Sequence, residues 1–266
     1  MRKYWHVLSI GIQNQLVYRV NFLFRACFSL LPLAATISLW RTIYAGGEAE
    51  IAGYTLAQRM SYYLVVTMVD MLTAVNEDDW QIAADIREGA ISQFLLKPID
   101  YMKYRLTLFC AGRLIYTAVA LLPVLLFIFV QRDFFVPPAD WNTFGWFLCS
   151  IVLTAFLQFF TSYAMALLAF WVLEVSTFIF ILFAFEYIAG GHLFPLDILP
   201  PALANALMFT PFPYQLYFPV SIYVGKATGA ALYQGLAIQL FWVIAAYGFA
   251  RFMWWRGTRR YGAYGG

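Results

Sequence analysis

The sequence predicts an all-α integral membrane protein. It would have six transmembrane helices, an N-terminal amphipathic interfacial helix, a cytoplasmic amphipathic segment between spans 2 and 3, and short re-entrant external helices between spans 5 and 6. Three observations carry this. Of the 266 residues, 63% are hydrophobic and only 12% charged, where soluble domains carry about 25% charge; that is too little to cover a globule. Apolar runs recur at lengths close to the ~20 residues that cross a bilayer as helix. Six of the eleven prolines fall between 195 and 219, and proline breaks a helix and removes a donor.

The elements follow in order. Within 1–23, Trp5, Leu8, Ile12, Leu16, Val20 and Leu23 recur every three or four residues, with Arg2, Lys3, Gln13 and Arg19 mainly between them. That pattern suits a helix lying in the cytoplasmic headgroup layer. The start has the basic end of a signal peptide, but Gln13, Asn14 and Gln15 interrupt any apolar core and no small-residue cleavage site follows, so it is read as retained. The six spans are expected at about 24–44, 59–76, 104–130, 143–170, 175–189 and 231–252. The fifth is short. At 1.5 Å per residue it covers only about 21 Å of a hydrocarbon core about 30 Å thick, so it either borrows residues from FWVLEVS or dips and returns. Residues 190–219, rich in Pro yet still apolar, would then form short helical pieces on the outer face, their irregular backbone buried in protein or facing water.

Six spans put both termini on one side. By that topology thirteen Lys and Arg fall on the side of the termini and the second-to-third connection, against Arg41, Arg59, Arg132 and Lys226 on the other. The positive-inside rule makes the first side cytoplasmic. The basic, aromatic tail RFMWWRGTRRYGAYGG reads as an interface anchor, not as a nucleic-acid site. Cys27, Cys110 and Cys149 lie inside apolar runs, and His6 and His192 have no partner at ligand spacing, so no metal or cofactor is expected.

The mixed-charge stretch DIREGAISQFLLKPID, residues 85–100, stands apart. Ile82, Ile86, Ala90 and Phe94 recur every four residues, while Gln81, Asp85, Glu88 and Ser92 line another face. Gly89 weakens the middle and Pro98 ends the pattern, which predicts two short helices. They could rest on lipid. Interfacial helices, however, usually carry Lys and Arg on the polar face, and Asp85 and Glu88 with a lone Arg87 suit a protein partner better.

DIREGAISQFLLKPIDY resembles the cytoplasmic loop of ABC type-2 (ABC-2) permeases, the membrane subunits of ATP-driven exporters. AFW at 169–171, GGHLFPLDILP at 190–200, PFPYQLYFPVSIYVGK at 211–226 and the terminal GG are similar in order and spacing to a prokaryotic branch of about this length. The resemblance covers nearly the whole chain and implies a single ABC-2-type transmembrane domain over 1–266, with an interfacial helix at 1–23, a coupling loop at 77–103 and an external re-entrant segment at 190–219. It implies an ATPase subunit as partner, a second permease chain, identical or homologous, and a multi-pass place in the prokaryotic plasma (inner) membrane. It makes 80–98 the coupling segment. Ile86, Phe94 and Leu95 would give apolar contact, Asp85, Arg87 and Glu88 rim charges, and Gly89 the bend, with Lys97 and Pro98 closing the segment. The phosphate-cradling pattern GxxxxGK[ST] occurs nowhere in the chain, so ATP hydrolysis is expected on a separate subunit and no catalytic residue here.

A secondary transporter or channel not coupled to ATP is the alternative, and a lipid-directed membrane enzyme a third. The first usually shows internal repeats and paired intramembrane charges, and no repeat is evident. The second needs a nucleophile with a base or a metal set. Asp70 and Glu186 are the pathway candidates. Each costs about 2.5–3.5 kcal/mol at a helix centre on insertion scales, so each should face protein or water. Either they only reach water near an interface, or they line the pathway. The cargo is not legible.

Overall fold

A computed structural model describes residues 2–47, 50–51, 53–75 and 78–262. The terminal Gly265 and Gly266 of the resemblance, and residues 76–77 at the end of the second expected span and the start of the cytoplasmic loop, lie outside them. Among the described residues the α-helices are α1 (Arg2–Val17), α2 (Arg19–Tyr44), α3 (Leu56–Thr73), α4 (Asp78–Arg87), α5 (Ile91–Leu95), α6 (Tyr101–Val130), α7 (Trp141–Ala166), α8 (Ser176–Ala189), α9 (Pro201–Leu207), α10 (Tyr217–Tyr223) and α11 (Gly229–Arg260). No strand occurs among the described residues; Ile51 and Tyr54 pair as an isolated bridge.

Each of the six expected spans falls largely on a helix among the described residues, with most ends moved by a few residues and the sixth running on to Arg260. Local chemistry sets several of the starts. Thr55 and Gln58 form a capping box on α3, while Asp100 accepts from Lys103 N–H to begin α6 and Asp140 from Thr143 N–H to begin α7. By length and composition, α2, α6, α11 and α7 with the 3₁₀ turn that prolongs it to Phe170 could each cross a bilayer. The other two segments differ for physical reasons. α3 carries Arg59, Tyr62, Tyr63 and Asp70 because its neighbours are α2, α6, α7 and α10 rather than lipid. α8, at 14 residues, is about 21 Å long and ends inside the bundle. The carbonyls of Gly191 and Leu193 just beyond it accept hydrogen bonds from Tyr62 and Tyr63 in the middle of α3.

The amphipathic start was expected to extend over 1–23 and to lie flat. Instead α1 ends at Val17, Tyr18 makes a break (φ −94°, ψ 11°) and 19–23 open α2. α1 also stands beside α6. Contacts advance in step along both: Tyr4 at Asp100, Gly11 against Leu108 and Ala111, Gln15 at Gly112, and Phe22 on Tyr116. Gly11 and Gly112 leave no side chain between the helices, so backbones approach where a lipid-resting helix would have turned away.

The proline-rich stretch enters the bundle more deeply than an outer-face packing would require. It contains two 3₁₀ turns, at Leu196–Ile198 and Phe212–Gln215, as well as α9 and α10. Tyr223 packs on Phe147 near the start of α7, and Gln215 lies beside Gln158, eleven residues further along α7, a descent of roughly 16 Å. Non-helical backbone at such depth needs partners. Gln239 of α11, fully buried, donates to the Tyr214 carbonyl (2.8 Å) and to Thr154 Oγ1 (3.0 Å), and accepts from Ser150 (2.9 Å). Gln239→Leu is expected to destabilise the protein by about 1–3 kcal/mol, since it strips partners from buried polar groups, read as a lower midpoint of thermal unfolding in detergent.

Candidate functional site

Residues 80–98 take the two-helix form expected. α4 and α5 meet at Gly89, whose φ of +80° lies in the left-handed region that favours glycine. Ile82, Ala83 and Ile86 point inward, against α7 and the 3₁₀ turn at Leu167–Phe170. This corrects the role expected of Ile86. At 4% exposed it belongs to the chain's own core and offers nothing to a partner. The four-residue apolar repeat marked the face that packs at home.

Asp85 also faces inward. It accepts hydrogen bonds from Tyr101 Oη (2.5 Å) and Gln81 Nε2 (3.0 Å) and lies 3.9 Å from Arg105 Nη1, so it ties α4 to the first turns of α6 instead of forming a rim charge. Phe94 packs edge-on against Tyr101 and touches Tyr104, with ring centroids 5.0 and 4.9 Å apart, and Tyr101 stacks on Trp254 of α11 at 5.2 Å. The segment is held at its elbow and at its Pro98 end by residues from the first and last helices and the Tyr261 that follows. Tyr261 Oη lies 2.9 Å from Ser92 Oγ and donates to the Gly89 carbonyl (3.3 Å). Lys3 donates to the Pro98 carbonyl, and Arg251 pairs with Asp100 at 2.8 Å. Outward-facing residues include Trp80 at 42% exposed, Gln81, Arg87, Glu88, Gln93, Lys97, Pro98 and two leucines, Leu95 at 46% and Leu96 at 88% exposed. Leu96, Tyr101, Trp254 and Tyr261 were missed in the sequence. Leu96 is off the four-residue repeat, and the others are joined to the segment only by tertiary packing.

The second region is a cavity of about 510 Å³ between α2, α3, α6, α7 and α8. Asp70 and Glu186 both line it, with Arg25, Tyr116, Gln158, Ser162 and His192. Glu186 lies near the end of α8, three residues before Ala189. His192 was expected to lack a partner, yet its Nε2 lies 3.1 Å from Asp70 Oδ1 and its ring stacks on Tyr187 at 5.0 Å. The pairing joins residues 122 apart in sequence, so no spacing rule could have found it.

A third cluster closes the opposite end of the bundle. Arg59, fully buried, lies between the Trp40 and Tyr54 rings, 4.5 Å from each centroid, and donates to the Ile51 carbonyl (2.8 Å). Tyr54 and Tyr217 both donate to Asp197, at 2.5 and 2.6 Å. Burial, then the Asp197 carboxylate, push the Tyr54 hydroxyl far above the usual phenol range, so it stays a donor at every physiological pH.

A helical bundle with several bilayer-length apolar helices, and a mostly apolar cavity that also carries charged side chains, has the architecture of a multi-pass membrane protein. The family model described as ABC-2 family transporter protein matches residues 30–265, and the chain belongs to that family. It is an ABC transporter permease, a membrane transport subunit that is not itself catalytic. No curated protein matches the sequence.

Proposed function

We propose that the chain is the transmembrane subunit of an ATP-driven exporter, with alternating access powered by a separate ATPase that docks on 80–98. The observation that carries this is the two-sided character of α4–α5. One side is tied through Asp85, Phe94 and the Tyr261 hydroxyl to α6 and α11, and the other leaves Leu95 and Leu96 among Arg87, Glu88 and Lys97 facing outward. A push on the outer side would reach the span helices without slack. The chain has no GxxxxGK[ST] pattern to hold ATP by itself.

In this reading α2, α3, α6, α7, α8 and α11 are six membrane segments, with α8 and the 190–219 stretch together making the fifth and a re-entrant return. Both termini and α4–α5 are cytoplasmic by the thirteen-to-four charge asymmetry, in a prokaryotic plasma membrane. Two permease chains and two ATPase chains complete the complex. Asp70 and Glu186 line the pathway through the cavity. Cysteines introduced at Gly47 and Ala139, both exposed, should label in intact cells with a membrane-impermeant maleimide, and one at Gln93 should label only after permeabilisation. Labelling of the Gln93 position from outside would reverse the orientation. Co-purification with an ABC-type ATPase from the native host, followed by cargo-stimulated hydrolysis, separates this function from an uncoupled transporter or channel.

A further inference from the structure

We infer that a groove between α1 and α6 binds one anionic phospholipid, its phosphate on Arg2, His6 and Lys103 and an acyl chain along the apolar wall. The inference rests on reading α6 as a membrane span that starts at the cytoplasmic leaflet, and it names the lipid that α1 holds there. The groove encloses about 610 Å³, in the range of small-molecule sites, roughly 300–1,000 Å³. It exists because α1 stands beside α6 instead of lying flat. Gly11 lets the helices close on Leu108 and Ala111. Nearer the start, the larger Tyr4 and Leu8 occupy the same face of α1, and the groove opens beside them.

Charge sets the sign of the occupant. Neither α1 nor α6 contains an aspartate or glutamate. Arg2 and His6 line the groove, and the exposed Lys103 stands one turn before Leu106 and Thr107 on the same side of α6. Asp100, the carboxylate that precedes α6, is already engaged: it pairs with Arg251 at 2.8 Å and accepts from the Lys103 N–H. A phosphate takes charge-assisted hydrogen bonds from guanidinium and ammonium groups, and an imidazole offers an N–H in either protonation state. The order of groups along the helices sets the rest of the occupant. Lys3, beside Arg2, donates to the Pro98 carbonyl, and Tyr4 Oη accepts from the Asp100 N–H at 3.3 Å, so the basic end is level with the start of α6. Leu106 and Cys110 continue the wall about 8 and 14 Å further along the helix, in the direction of the bilayer core. Trp5, 70% exposed, borders the groove near its basic end, the level at which tryptophans gather in membranes. A free phosphate would leave the apolar wall unused, and phosphatidylcholine would bring a cationic head to basic residues. An anionic phospholipid matches both parts.

The test uses the full-length protein in maltoside micelles, with bound lipids counted by native mass spectrometry. The probes are palmitoyl-oleoyl phosphatidylglycerol and phosphatidylcholine with the same chains. The first phosphatidylglycerol should bind about tenfold or more tighter than the first phosphatidylcholine, and excess inorganic phosphate at constant ionic strength should not displace it. Arg2→Gln and Lys103→Gln should each weaken that phosphatidylglycerol about fivefold, as expected of one basic residue at an anionic lipid surface, and leave phosphatidylcholine within about twofold. Cys110→Trp, which fills the apolar end, should weaken both lipids. Arg256→Gln with Arg259→Gln removes basic residues that lie outside the groove, over the Trp255 ring, and should leave the first phosphatidylglycerol within about twofold. All of these positions are exposed, so the fold tolerates the substitutions. Equal affinity for the two lipids overturns the inference. So does a preference that Arg2→Gln with Lys103→Gln leaves unchanged, or one that the Arg256 and Arg259 pair lowers as much, which is the pull of overall charge. Displacement by inorganic phosphate makes the occupant a free anion and overturns it too. The exporter reading fails separately. If the ATPase does not associate, the coupling assignment falls while the lipid result stands; an associated, stimulated ATPase with no phosphatidylglycerol preference removes the lipid site alone.

Discussion

Replacing Arg59 by alanine should lower stability by about 3 kcal/mol or more and leave little folded protein in a detergent extract. Three contributions combine. The guanidinium is stacked between Trp40 and Tyr54, and a desolvated cation–π contact is worth about 2 kcal/mol. Its hydrogen bond to the Ile51 carbonyl, of the charged kind, is worth about 1.5–3 kcal/mol. Removing a large side chain from a site with no solvent access also leaves a void. Against these stands the cost of a buried guanidinium whose Nε and Nη1 lack partners, so the contributions do not simply add. Arg59→Lys should recover part of the loss, because an ammonium can still reach one ring or the carbonyl but cannot stack flat between two. The check is the fraction of monodisperse protein by size exclusion and its unfolding midpoint. Wild-type behaviour of Arg59→Ala would show that the cluster merely fills space and that Asp197 with its two tyrosines holds this end alone.

Arg59 also shows where sequence reasoning stops. In the sequence it is one of four lysines and arginines on the side opposite the other thirteen in the expected topology, and its sign and position entered only that charge count. Its burial depends on Trp40 and Tyr54, which come from another helix and a loop. The four bilayer-length helices, α2, α6, α7 and α11, were legible because each announces itself locally, by a run of apolar residues about as long as a bilayer is thick. The two-helix form of 80–98 was legible because Gly89 and Pro98 act on the backbone where they stand. The direction in which those helices face was not. An apolar stripe on a helix says that something covers it, not whether the cover is the same chain, a partner or lipid, and at Ile82 and Ile86 it is α7 and the turn beyond it. The cavity was half legible: charge within apolar segments singled out Asp70 and Glu186, whereas Gln158, Ser162 and His192 carry no such signal and meet them only through the packing of α7 and the shortness of α8.

The second large effect belongs to the outward leucines. In the proposed complex, Leu95→Ala with Leu96→Ala should weaken association with the ATPase by about 30-fold or more, since truncating an apolar anchor at an interface centre costs about 2 kcal/mol or more. The permease itself should unfold at its usual temperature, because at 46% and 88% exposed these side chains hold little of their own chain together. Ile86→Ala should do the reverse. It removes core volume worth about 2–5 kcal/mol, lowers the unfolding midpoint, and affects the ATPase only as far as α4 loosens. Glu88→Gln, a charge on an exposed rim, should change affinity by less than about 1 kcal/mol. Gly89→Pro addresses transmission instead of docking. Proline fixes φ near −65°, whereas Gly89 sits at +80° with its carbonyl on Tyr261. The elbow must therefore re-form away from that hydroxyl, and transport per ATP hydrolysed should fall even where the complex still assembles. Tyr261→Phe, which keeps the ring on Phe170 and removes only the hydroxyl, should show a milder loss of the same ratio at unchanged ATPase affinity. Normal ATPase affinity in the double leucine variant would place the docking face elsewhere. A normal transport ratio in Gly89→Pro would mean that the elbow holds the segment in place without carrying the motion.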